Sequence, residues 1–166
     1  MRKPLIANPA IVFGDLHLDW RALEVILSEA RKLGIDTALN LGDEGCFFGG
    51  RDEDYDKLYN ALRNFRDERP ERELICMVGG ETDLVPSDLF RNYVGVDSRG
   101  RTGRCLVRKR GNVIAGHWGE KIFQRYKRLI LNYNGLEPLI IFHGHSHSMG
   151  VLPEFKWLRG SLKITC

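Results

Sequence analysis

The chain has 166 residues, 43% hydrophobic and 28% charged, with 25 Lys and Arg against 22 Asp and Glu. This composition fits one domain, residues 1–166, with an ample core, and excludes a disordered or low-complexity protein. No apolar run approaches the ~18 residues of a membrane span. The basic start Met1-Arg2-Lys3 leads into no signal-like apolar region, so a soluble, cytoplasmic protein with no membrane partner is expected. The four cysteines (Cys46, Cys76, Cys105, Cys166) are scattered without a Cys-x-x-Cys pair, which fits reduced thiols in that compartment.

The net charge of +3 hides an asymmetry. Residues 1–83 hold 11 basic and 17 acidic side chains, whereas residues 84–166 hold 14 and 5. A positive second half suits an anionic substrate.

In chain order, Ile11, Val12 and Phe13 form the core of a first strand. Asp19 then caps a periodic stretch carrying Leu23, Val25, Ile26, Leu27, Ala30 and Leu33, closed by Gly34, which predicts a helix. Residues 37–41 form a second strand. Residues 45–50 form a loop, and Asp52-Glu53-Asp54 suits a helix N-terminus through the helix dipole. Leu58, Tyr59, Leu62 and Phe65 place a second amphipathic helix over residues 55–68. Residues 74–78 form a third strand, and Pro86-Ser87 opens a short helix running to Tyr93. Strand–helix–strand–helix–strand implies parallel pairing with right-handed crossovers. Beyond Gly95, residues 104–110 and 113–115 form two strands around Gly111-Asn112. Arg99, Arg101, Arg104, Arg108, Lys109 and Arg110 cluster there, either on a solvated edge hairpin or, as the other reading, on a nucleic-acid-binding patch. Residues 120–131 make a third helix with Ile122, Phe123, Tyr126, Leu129 and Ile130 inward. Residues 139–142 and 161–165 are the last strands.

The strand ends carry the chemistry. The run Leu139 to Phe142 stops at His143-Gly144-His145-Ser146-His147, where residues two apart point the same way. The two remaining histidines, His17 and His117, follow Gly14-Asp15-Leu16 and Ala115-Gly116. Residues 37–41 deliver Gly42-Asp43, and residues 74–78 deliver Gly79-Gly80-Glu81-Thr82-Asp83. Each time, buried-strand residues give way to glycine and then to a metal-competent side chain, as at sites formed at the carboxyl ends of strands. A surface histidine cluster without function is the plain alternative for residues 143–147 taken alone.

The ordered set Gly-Asp-x-His, Gly-Asp, Gly-x-x-Asp, Gly-His, Gly-His-Ser-His, from Phe13 to His147, resembles the calcineurin-like metallophosphoesterase superfamily. Within it the chain is most similar to the compact single-domain phosphodiesterase branch. The resemblance implies a four-layer α/β/β/α sandwich of two mixed sheets with flanking helices. It implies two divalent ions, one held by Asp15, His17, Asp43 and His147, the other by Asp43, Glu81, His117 and His145, with Asp43 shared. It also implies hydrolysis of phosphate esters, diesters before monoesters, through a water bridging the ions. Two readings stand beside that one: a metal-binding scaffold or interaction protein of the same fold with little turnover, and a nuclease.

One loop departs from the family pattern. Glu81 stands where the family has a metal-binding Asn, and Thr82 where it has a catalytic His. Glu81 can ligate; Thr82 cannot do a histidine's acid–base work near neutral pH. Manganese stands first among the candidate ions, with iron, nickel, cobalt and zinc also fitting a histidine–carboxylate set. The catalytic set is Asp43, His117 and His143. His143 falls on the ligand side of its strand and is read as a hydrogen-bond partner behind the ligands, with phosphate contact and an ordinary strand-end residue as the other readings. Asp83 orients its loop, and Cys46 packs.

Overall fold

Alternation along short buried strands builds two layers of core around one sheet. The computed structural model describes residues 9–45, 50–77, 85–94, 107–110, 113–117, 128, 132 and 140–144. Strands β1 (Ala10–Phe13), β2 (Thr37–Asn40), β3 (Glu73–Met77) and β4 (Tyr93–Val94) form a four-stranded parallel sheet in the order β1-β2-β3-β4. On one face Ile11, Phe13, Ala38, Leu74 and Cys76 pack with helices α1 (Trp20–Lys32) and α2 (Asp52–Asp67). On the other, Val12, Leu39, Ile75 and Met77 share a cluster with Val113, Ala115, Ile140 and Phe142. These last residues belong to a second, three-stranded sheet. In it β5 (Val107–Arg110) runs antiparallel to β6 (Val113–Gly116), which pairs in parallel with β7 (Ile140–His143). The period of two in β1–β3 thus sorts side chains between a helix layer and a second sheet. The fold is mixed α/β.

The helices start and stop on the signals in the sequence. The Asp19 side chain accepts the Ala22 N–H at 3.0 Å, and Gly34, at φ +66°, takes the chain out of α1 in left-handed backbone. Leu23, Leu27 and Ala30 lie on one buried stripe of α1, whereas Val25 is exposed because it falls on the opposite side of a 3.6-residue turn, and Leu33 is exposed as the C-cap residue beyond the last turn. Helix α2 begins at Asp52, earlier than the apolar period suggests, and its acidic first turn sits at the positive end of the helix dipole. Residues 87–92 wind as a 3-10 helix whose last residue hands over to β4. Of the predicted helix over residues 120–131 only Arg128 is described, in helical conformation with its carbonyl accepting the Asn132 N–H at 3.1 Å, and the predicted strand over 161–165 lies outside the described residues. Among the described residues no helix is long and apolar enough to cross a membrane.

The amino-terminal edge of the parallel sheet is tied by arginine–carboxylate pairs. Arg31 donates to both Glu68 oxygens (2.9 and 3.0 Å), and Arg72 donates to the same carboxylate. Arg72, its side chain 2% exposed, lies over the Phe65 ring at 4.5 Å and also donates to the Phe65 carbonyl. Arg69 and Arg72 flank Asp36, and Arg63 grips Asp88 at 2.8 and 2.9 Å. The hydrogen bond from Arg31, reinforced by Arg72, holds the Glu68 carboxyl at about 2, against an ordinary 4.5. A depressed carboxyl contributes stability that is complete above its ordinary value and is lost as pH falls through the folded one. Glu68 is partly exposed, so solvent screening limits its contribution to about 1 kcal/mol. Glu68→Gln should therefore destabilise the protein by about that amount at pH 7 in urea unfolding. The gap from wild type should narrow between pH 4.5 and about 2.

Candidate metal centre

The parallel strands β1 and β2 end in register, Phe13 opposite Asn40, and the backbones that follow stay zipped together. Leu41 N–H donates to the Phe13 carbonyl (2.7 Å), Asp15 to Gly42 (2.9 Å), His17 to Asp43 (3.2 Å) and Leu18 to Glu44 (2.7 Å). This pairing runs through left-handed backbone: φ is +53° at Asp15, +44° at His17, +67° at Leu18, +95° at Gly42 and +61° at Asp43. Gly42 adopts it freely, while the four residues with side chains each carry roughly 1–3 kcal/mol of strain. Such outliers persist where the surroundings over-determine them and cluster at functional sites.

The two sheets meet at the site. His117 follows β6, and Gly144 follows β7, its N–H donating to the Gly116 carbonyl at 3.2 Å. The carboxylates of Asp15 and Asp43 and the imidazole of His117 each place a ligand atom within 4.8 Å of the others. His117 Nε2 stands 3.9 Å from Asp15 Oδ1 and 3.8 Å from Asp43 Oδ2, and His17 Nε2 stands 3.8 Å from that same Asp43 oxygen. These separations are too long for hydrogen bonds. They match donors sharing an ion, since two ligands at ~2.0–2.2 Å from one metal lie no more than ~4.4 Å apart.

Two further features fit a cation. His17 Nδ1 lies 3.2 Å from the Gly45 carbonyl, which can only accept, so Nδ1 carries a proton and Nε2 is the ring nitrogen turned toward Asp43. A backbone carbonyl holding the distal ring nitrogen is the usual way a metal-binding histidine is oriented. Gly144 provides the second: a Cβ there would sit 2.8 Å from His117 Nδ1 and 2.9 Å from Asp15 Oδ2, so only glycine lets the β7 loop lie against both.

The described residues therefore bring together Asp15, Asp43 and His117, with His17 beside Asp43. Asp43 presents one oxygen to both imidazoles, the position a shared ligand requires. Asp15, assigned from the family pattern to the first ion, also lies next to His117, assigned to the second. His143 closes β7, with its side chain outside the described residues, as are Glu81, Thr82, Asp83, His145, His147 and Cys46.

Sequence reasoning passed over a polar group directly behind Asp43. Glu44 and Asn40 are both 0% exposed. The Asn40 amide donates to Glu44 Oε1, Asn40 Oδ1 accepts the Gly42 N–H at 3.0 Å, and the Tyr93 hydroxyl donates to Glu44 Oε1 at 2.8 Å. Burial, followed by the neighbouring Glu44 charge, pushes the Tyr93 phenol well above its ordinary range, so the hydroxyl keeps its proton and serves as a donor. The available signal was Asn40, an amide ending the otherwise apolar core run Ala38-Leu39.

Compared with known protein families, curated proteins and solved structures, the chain matches none.

The Gly144 geometry gives a direct test. Gly144→Ala should weaken Mn(II) affinity at least ~10-fold, as perturbing groups packed on metal ligands does. Isothermal titration measures the affinity, and the clash with buried His117 should also lower the melting temperature of the metal-free protein. Wild-type affinity in the alanine variant would separate Gly144 from the ligand cluster.

Proposed function

We propose that the chain is a dinuclear-metal-dependent phosphoesterase that prefers phosphodiesters. The observation that carries this reading is the convergence of Asp15, Asp43 and His117 within 4.8 Å. They lie at the carboxyl ends of strands from two sheets that share a core cluster, with His17 Nε2 3.8 Å from Asp43. In this reading the remaining ligands are Glu81, His145 and His147. The same reading extends the two sheets and their helices to a four-layer α/β/β/α sandwich.

Bound divalent ions, manganese first among the candidates, would supply Lewis acidity toward phosphoryl oxygens and a water acidified to near neutral pH. The chain's own residues set how far that chemistry goes. Asp43, strained and zipped to the β1 loop, presents its carboxylate in a fixed place. His117, 2% exposed, is held between Asp15 and Asp43 with little freedom to swing away. Glu81 adds a third carboxylate to Asp15 and Asp43. Two divalent ions would then retain about +1 of charge where a neutral amide ligand would leave about +2. Lowering the charge from about +2 to about +1 takes more attraction away from a monoester dianion than from a diester monoanion. Thr82 offers no proton near neutral pH, so a poor leaving group departs without general acid help, which is typically worth 10²–10⁴-fold.

The wild-type protein reconstituted with Mn(II) should hydrolyse bis(p-nitrophenyl) phosphate and be weak on alkyl monoesters. Thr82→His should raise rates on alkyl esters by about 10²-fold while changing aryl diesters little. Efficient wild-type turnover of alkyl monoesters would contradict the missing acid at Thr82. Metal uptake without turnover of any ester would favour the second reading, a metal-binding scaffold of the same fold, for which the threonine is the motivating observation.

A further inference from the structure

Asn40, Cys76 and Tyr93 stand side by side in one row across β2, β3 and β4, on the sheet face that packs against the helices. Asn40 and Tyr93 are thus two strand spacings apart, roughly 9–10 Å. The gap is closed by one atom, Oε1 of Glu44, which accepts from the Asn40 amide and from the Tyr93 hydroxyl. Glu44 comes from the loop after β2, one residue beyond Asp43, and its side chain reaches back to Asn40 and Tyr93, the two residues that flank buried Cys76 in this row. Tyr59, also buried, borders Tyr93 and completes the surroundings.

Packing alone does not account for a carboxylate there. A fully buried carboxylate costs several kcal/mol unless hydrogen-bonded, and an apolar side chain would fill the same space without that cost. What the carboxylate adds is direction. Asn40 holds Glu44 through its amide and the Gly42 N–H through its carbonyl, so both flanks of Asp43 are fastened to the end of β2. The Glu44 carbonyl in turn accepts from Leu18 and the Asp43 carbonyl from His17, carrying the restraint across to the β1 loop. Gly42 and Asp43 are consecutive residues at positive φ, an arrangement that needs such outside fastening.

We propose that Glu44 is the positioning residue of the metal centre. Clamped between Asn40 and Tyr93, it fixes the backbone of Asp43 and aims the shared carboxylate, while not being a ligand itself. The inference rests on the metal-centre reading. It adds a structural dependence: the aim of Asp43 relies on a tyrosine from β4, 49 residues beyond Glu44.

The test uses the full chain titrated with Mn(II), read by isothermal titration and by the electron paramagnetic resonance spectrum of the bound ion. The melting temperature of the metal-free protein is measured in parallel. Glu44→Gln keeps an Oε1 acceptor for both donors, and its Mn(II) affinity should stay within about 3-fold of wild type with an unchanged bound-ion spectrum. Glu44→Leu removes the acceptor and should weaken Mn(II) binding by about 10–100-fold, the range found for groups that orient metal ligands. Tyr93→Phe deletes one hydroxyl from a residue far from the ions. It should cost several-fold in affinity and alter the spectrum even if the leucine variant fails to fold. Wild-type affinity and spectrum in Tyr93→Phe, or in a folded Glu44→Leu, would overturn the proposal. A glutamine variant as weak as the leucine variant would also overturn it, because charge rather than hydrogen bonding would then be the cause. A wild-type protein that takes up no Mn(II) would overturn the metal centre itself, and this inference with it.

Discussion

Everything at the site depends on two loops that remain hydrogen-bonded after their strands have ended. From Leu41 to Glu44 the backbone of the β2 loop keeps accepting from, or donating to, the β1 loop, although neither segment is extended any longer. This is possible because both loops pass through left-handed backbone. Ordinary turns would separate them and carry Asp15 away from Asp43. At roughly 1–3 kcal/mol per strained residue, four such residues could not be held by the zipper alone. Burial of Leu16 and Leu18 on the same loop offsets part of the cost, since a fully buried leucine is worth about 2 kcal/mol. Gly50 leaves room for the Leu18 side chain, which a Cβ at that position would strike.

The layering explains why the zipper sits where it does. Every residue of β2 is buried, with Ala38 facing the helices and Leu39 facing the second sheet, so the strand that delivers Asp43 cannot shift without disturbing both cores. β6 and β7 carry His117 and Gly144 to the same place from the other sheet, in a parallel register that sets Gly116 opposite His143. The cluster is therefore a product of how the two sheets meet, and neither sheet makes it alone.

Much of this was legible in the residues. Short apolar runs ending in glycine and then Asp or His marked the strand ends, and the Asp19 and Gly34 signals bounded α1. These are local patterns, and local patterns survive without a structure. The left-handed conformation of His17 and Leu18 was not legible, because those residue types avoid it and only the neighbouring loop imposes it. The role of Glu44 was hidden for a different reason. In Gly-Asp-Glu it reads as one more acidic loop residue, and its partner Tyr93 lies 49 positions away. Val25 reads as core by composition and is exposed by geometry, since helical phase, not hydrophobicity, decides which side of α1 meets the sheet.

Charge is sorted by the two ends of the parallel sheet. Asp36, Glu68 and Asp88, with the arginines that hold them, occupy connections leading into β2, β3 and β4, at the amino-terminal edge. Asp15 and Asp43 occupy the carboxyl-terminal edge, where imidazoles stand across from them. Strands of four and five residues put roughly 13–17 Å between the two edges. That is more than three times the ~4 Å reach of an ion pair. The arginine lattice can therefore bind α1, α2 and β3 together without its guanidiniums competing for the carboxylates at the other end. Carboxylates meeting arginine forks are neutralised and structural. Asp15 and Asp43 instead face the imidazoles of His17 and His117, which bring a positive charge only when protonated.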